Sequence, residues 1–131
     1  MRATIARVKA LGVKRVVVMG QFPIWRAQVP HLRARNYRLA AIGVGSNAKD
    51  MERDKSFLVP TIYKAEQTVR QAVADTGAEF VSPLLTLCNG EGCLLVVPGT
   101  DGEPIYWDSN HFTRTGSIYF IEKTLPTLSG R

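Results

Sequence analysis

The chain has 131 residues, 45% of them hydrophobic and 21% charged, which is the size and balance of a single globular domain, residues 1–131, with a core of its own. No apolar run approaches the roughly eighteen residues of a membrane-spanning helix, and Met1 to Lys14 alternates charge with apolar residues as an amphipathic helix does, unlike a signal peptide. The net charge of +6 gathers in Arg2–Arg15 and Arg26–Arg38, but no nucleic-acid-binding motif accompanies it and the aromatics are not interleaved with it, so no nucleic-acid partner is expected; a solvated face or an anionic glycan accounts for the charge.

Ile5, Val8 and Leu11 recur at helical spacing and Gly12 suits the position just past a helix end, which predicts a helix over residues 3–11. Val16-Val17-Val18-Met19 follows after a short turn. It is apolar on both faces, as a central parallel strand is when helices cover both sides. Phe22, Ile24 and Trp25 then follow the carboxyl end of that strand, the edge where open α/β sheets place their sites; they fit a pocket lining and core packing equally. A short helix is expected from about Pro30. It carries His31, which has no acid within four residues and reads as an exposed structural histidine.

The segment Ala40–Phe57 is the least regular. Gly43-x-Gly45 lacks the third glycine and the lysine-hydroxyl pair of a phosphate loop, and Ser46 is not flanked as nucleophilic serines are. Pro60 marks the start of the strongest helix, with Ile62, Ala65, Val69, Ala72 and Val73 as its inward stripe and Lys64, Glu66, Arg70 and Asp75 outward. Ala78–Ser82 is the next strand, ended by Pro83. Cys88 and Cys93 are separated by four residues, two of them glycine, so their sulfurs can meet; a structural disulfide is the preferred reading, with free thiols as the alternative. A metal site would need more ligands than two thiolates. Leu94–Val97 and Ile105–Trp107 are expected to be strands flanking a hairpin-like turn with Asp101-Gly102 at its tip. A last helix, Arg114–Thr124, is expected to bury Ile118, Ile121 and Leu125 and to end at Pro126.

Between that hairpin and that helix lies Tyr106-Trp107-Asp108-Ser109-Asn110-His111-Phe112-Thr113-Arg114-Thr115-Gly116. An Asp three residues before a His on a tight loop can set a carboxylate against one imidazole nitrogen and leave the other facing a cleft. That arrangement makes the ring a general base for a hydroxyl nucleophile. Thr113 is placed to cap the helix, and Gly116 to let its first turn pack closely.

Aromatics, Asp-x-x-His, then a hydroxyl residue and a glycine near the carboxyl terminus resemble the last sequence block of SGNH (GDSL-type) hydrolases. Together with Val16–Pro23, Cys88, Cys93 and Pro104–Asp108, the pattern resembles the SGNH domains fused behind the membrane part of acyltransferase-3 family proteins. The resemblance covers nearly the whole chain, but only as the C-terminal portion of such a domain. It implies a partial three-layer α/β/α, flavodoxin-like fold with a mainly parallel sheet and a C-terminal hairpin-like element. It implies further that Asp108 and His111 are two members of a Ser-His-Asp triad.

The Gly-Asp-Ser block that supplies the nucleophile is absent from these residues, and none of the six serines stands in its context. The resemblance therefore implies part of an O-acyltransferase or esterase domain that needs no cofactor. Its partners would be an acyl donor, a carbohydrate acceptor and the membrane acyltransferase domain of the same parent protein. Its setting would be periplasmic or otherwise extracytoplasmic, or cytoplasmic if Met1 is a true start. The alternative is a non-catalytic α/β remnant or binding module with a basic face; a self-contained hydrolase using Ser46 is the third. Loss of the first strands of such a sheet would expose the Val16–Met19 edge, to be covered by self-association or by residues 1–15.

Overall fold

A computed structural model describes residues 1–44 and 52–129. Gly45–Met51, with Ser46 and half of the Gly43-x-Gly45 pair, lies outside the described residues. The chain is mixed α/β. In order it forms α1 (Arg2–Ala10), β1 (Val17–Met19), α2 (Val29–Ala41), β2 (Arg53–Asp54), α3 (Thr61–Val73), β3 (Glu79–Val81), α4 (Pro83–Leu87), β4 (Cys88–Asn89), β5 (Gly92–Leu94) and α5 (Arg114–Leu128).

Strands β1 and β3 pair in parallel, with Val17, Val18 and Met19 opposite Glu79, Phe80 and Val81. Helix α3 supplies the crossover. A separate antiparallel sheet has the order β2-β5-β4, with Cys88 opposite Cys93. The two cysteines are disulfide-bonded, which closes a loop worth about 2 kcal/mol in the chain-entropy model.

The core runs through Trp25, Val29, Leu32, Leu58 and Ile62, then Cys93 to Val97, and on to Ile105, Tyr106 and Phe120. Cys93–Val97 is buried without a break because segments pack on both of its faces. Only its first part ladders as a strand, however. The expected strands Leu94–Val97 and Ile105–Trp107 are replaced by isolated bridges, Val96 with Pro104 and Tyr106 with Phe112. The hairpin survives as an irregular pairing in which Ile105 N–H donates to Leu95 O and Val97 N–H to Glu103 O. Its tip turns at Gly99 and Gly102, both at positive φ.

Further expectations are corrected. Strand β1 is not buried on both faces: Val17 and Val18 are half-buried and Met19 is exposed, and among the described residues β1 has a partner along one edge only. Three side-chain hydrogen bonds of residues 1–15 reach the β3 side of the pair, where Arg2 donates to Gln71 O, Lys9 to Thr76 O and Arg15 to the Glu79 carboxylate. In α1, Ile5 is buried but Leu11 is exposed, since the helix ends one residue before it.

In α5, Ile118 and Ile121 are exposed, and the buried stripe is Gly116, Phe120 and Thr124. These three recur every fourth residue on one helix face. Pro126 lies inside this helix rather than ending it, and the burial expected for Leu125 falls outside the described side chains.

The stripe begins at Gly116 for a steric reason. A Cβ there would sit 2.2 Å from the backbone oxygen of Ile105, and backbone cannot rotate aside as a side chain can. Alanine at 116 would gain about 1 kcal/mol in helix propensity, against an overpacking cost of about 1–3 kcal/mol. Gly116→Ala should therefore lower the free energy of unfolding by up to about 2 kcal/mol in urea titration. A variant as stable as the parent would show that the helix can back away from the hairpin.

Candidate active site

The loop that carries Asp108 and His111 is closed by backbone bonds at both ends. Trp107 N–H donates to His111 O at 3.0 Å, and Thr113 N–H to Ile105 O at 3.1 Å. The Thr113 hydroxyl donates to Pro104 O and accepts from the Gly116 N–H at 2.9 Å, which is the helix cap expected of it.

Within this frame Asp108 is saturated by near neighbours. Its Oδ1 accepts the backbone N–H groups of Asn110 (2.8 Å) and His111 (2.7 Å), and its Oδ2 lies 2.6 Å from His111 Nδ1. The two backbone donors and then the imidazole hold the carboxyl down to about 2 from its ordinary 3.8. An ionised acceptor at Nδ1 selects the tautomer that carries its proton there and leaves a lone pair on Nε2. Among the described residues nothing hydrogen-bonds Nε2, and the His111 side chain is 64% exposed while Asp108 is 21% exposed.

An aromatic cluster lies under the loop. Phe22 stands edge-on to Phe112 (5.4 Å between centroids) and to Phe120 (5.1 Å), Tyr106 lies 4.9 Å from Phe112, and Trp25 is 6.3 Å from Tyr106. Of Phe22, Ile24 and Trp25, which suited a pocket or a core equally, Trp25 is buried in the core and Phe22 and Ile24 pack against it half-buried. Their segment also grips the site loop directly: Trp25 N–H donates to Ser109 O and Val29 N–H to Asp108 O. The loop therefore sits beyond the carboxyl end of β1, the edge expected for a site.

Burial pushes the Tyr106 phenol well above its ordinary value, so it stays neutral. Its hydroxyl and the Trp25 indole N–H are buried without a partner among the described residues. Trp107, by contrast, is 62% exposed, and its ring lies 5.9 Å from the imidazole of His111.

Other candidates stand apart from this pair. His31 is exposed on α2, and its side chain has no acid partner among the described residues. No described serine hydroxyl bonds His111. Ser82 is buried instead, capping α4 and donating to Glu66, while Ser109 faces Asn110. Glu66 is the residue that the helical pattern misplaced. Expected outward, it is 8% exposed. Its spacing of four from Ile62 puts it on the inward stripe, and that spacing was the available signal.

The Asp108 carboxyl should titrate near pH 2 when followed by its side-chain carbon resonance in NMR, and near 3.8 in the unfolded chain. Because its native value is the lower one, the stability it contributes is complete above 3.8 and disappears as the pH falls through about 2. A native midpoint at 3.8 would show that the three donors do not hold in solution.

This geometry can be set beside known proteins. No curated protein matches the chain. A solved structure, the periplasmic domain of a lipopolysaccharide acetyltransferase from Salmonella ser. Paratyphi A, has the same fold with a TM-score of 0.79 at 22% sequence identity. The match takes in 98% of this chain and 47% of that one, so the chain spans about half the length of the domain it resembles. The family of SGNH domains fused to AT3 domains matches residues 1–126, and the chain belongs to that family.

Proposed function

We propose that this chain is the C-terminal part of an SGNH-type O-acyltransferase or esterase domain, to which it contributes the base and its orienting acid. The observation that carries the proposal is the 2.6 Å contact between Asp108 Oδ2 and His111 Nδ1, with Nε2 left open. In the assembled domain Nε2 takes the proton of a serine hydroxyl supplied from outside these residues as its oxygen attacks the acyl carbonyl of the donor. The imidazolium, held against Asp108, returns that proton to the departing donor group, leaving an acyl-serine. A carbohydrate hydroxyl then attacks in the same way, giving its proton to Nε2. A new ester forms as the acyl–serine bond breaks and the imidazolium returns that proton to the serine oxygen; water in place of the carbohydrate hydroxyl gives hydrolysis instead. The acyl group, in our proposal acetyl, never bonds to this chain.

Fusion to AT3 domains in the family supports a membrane acyltransferase domain as the partner in the parent protein. No described helix is long and apolar enough to cross a membrane, and with the Cys88–Cys93 disulfide this suits an extracytoplasmic domain of such a parent. The edge of β1 that has no ladder partner among the described residues is the place where the strands bearing the serine would add. The chain by itself should then self-associate through that edge, and light scattering that finds a monomer at high concentration would count against this use of the edge.

The chain alone should transfer no acyl group and hydrolyse no activated ester. Joined to the first half of the domain it should do so. Asp108→Asn should then cost about 10²–10⁴ in kcat, because its amide would face Nδ1 as a donor and select the wrong tautomer. Ester hydrolysis by the chain alone, abolished by His111→Ala, would overturn the proposal. The absence of any described serine beside His111 favours a second reading, a non-catalytic binding module with a basic face. An inactive assembled domain that still binds an anionic glycan would establish it.

A further inference from the structure

Glu66 is one of two buried acids among the described residues, and its two oxygens serve two different strands. Oε2 accepts the backbone N–H of Gln21 at 2.5 Å, just past the end of β1. Oε1 accepts the hydroxyl of Ser82, the first residue past β3. The nearest cation is Arg70, with Nη2 at 4.0 Å from Oε1, and its guanidinium lies over the Phe80 ring. Gly20 makes room for the carboxylate: a Cβ there would come within 2.1 Å of Oε2.

Both arms lead to the site loop. From Gln21 the chain passes to Phe22, whose ring meets Phe112 and Phe120. It continues to Trp25 and Val29, whose N–H groups hold Ser109 O and Asp108 O. From Ser82, which caps α4 by accepting the Leu85 N–H, the second arm runs through α4 into its packing against α5, the helix that follows His111. A buried carboxylate that satisfies one donor from each strand end is costly to leave out, because its removal leaves a half-buried backbone N–H and a buried hydroxyl without their acceptor.

We propose that Glu66 is a positioning residue for the Asp108–His111 pair. It holds the ends of β1 and β3 so that the segment from Gln21 to Val29 and helix α4 press the site loop from two sides. The importance of this for catalysis rests on His111 acting as the base. The arrangement itself does not, and so it is tested by the state of the imidazole and not by turnover.

The experiment is NMR of the chain with Glu66→Ala and Glu66→Gln, reading the imidazole ¹⁵N shifts of His111 and amide exchange at Trp25 and Val29. In Glu66→Ala the imidazole should drift from the Nδ1–H tautomer toward a mixture, and the two amides should exchange at least tenfold faster. Glu66→Gln should restore most of the wild-type pattern, since its oxygen can accept from Gln21 while its amide donates to Ser82. A Glu66→Ala variant that is folded but less stable, with wild-type His111 shifts, would overturn the proposal and leave Glu66 a purely structural residue.

If Glu66→Ala does not fold, exchange in the wild-type chain decides. The amides of Gln21, Trp25 and Val29 should open as one unit with a common denaturant dependence. Opening of Gln21 alone would overturn the proposal. If the imidazole responds as expected while the joined domain transfers no acyl group, the catalytic reading fails and the positioning role stands.

Discussion

Asp108 accepts three donors, all from within three residues of itself, and this local saturation is the constraint on which the site depends. Two of those donors are backbone N–H groups. The carboxylate therefore keeps its charge and its direction whether or not the imidazole is present, and the imidazole is oriented by an acid that is already in place. A pair built this way forms with the loop itself, and the distant segments tied at Glu66 act on it by holding that loop in place. A hydroxyl for Nε2 is a different matter, because no described serine is close and the ring faces outward.

Around that loop the structure supplies rigidity through aromatic edges and backbone clamps more than through regular strands. The parallel pair has three residues in each strand, and the hairpin before the site ladders only at single bridges. Phe22, Phe112, Phe120 and Tyr106 fill the space beneath, and the two edge-on pairs made by Phe22 add about 0.5–1.5 kcal/mol each beyond the area they bury. Gly116 allows α5 to approach the hairpin backbone closely enough for the cap at Thr113 to form. The result is a firm floor under an open site, which agrees with a chain that spans about half of the domain it resembles.

Much of this was legible in the residues. Asp-x-x-His on a tight loop, the Thr113 cap, close packing at Gly116 and the cysteine spacing all depend on contacts within a few positions, and sequence reports such contacts well. The helices α2 and α3 were legible from Pro30 and Pro60 and from apolar spacing. Other features were not. Ile118 and Ile121 looked like a buried stripe, yet the hairpin meets the Gly116–Phe120–Thr124 face, because the one position without a side chain decides which face can come close. Glu66 looked like solvent-facing charge because an acid is usually exposed. Its two partners, Gln21 and Ser82, lie 45 and 16 residues away, and no local pattern announces them.

The sequence by itself determined the short-range chemistry: which acid faces which imidazole, where helices begin, and which family the pattern belongs to. Those outcomes follow from spacing along a chain whose turns have few alternatives. Tertiary structure alone decided which face of α5 is buried, how the end of β1 is tied to the end of β3, and that one edge of β1 has no ladder partner among the described residues. Each of these is a choice among surfaces that are equally apolar or equally polar in the sequence. They are separated only when remote segments compete for the same volume and for the same hydrogen-bond donors.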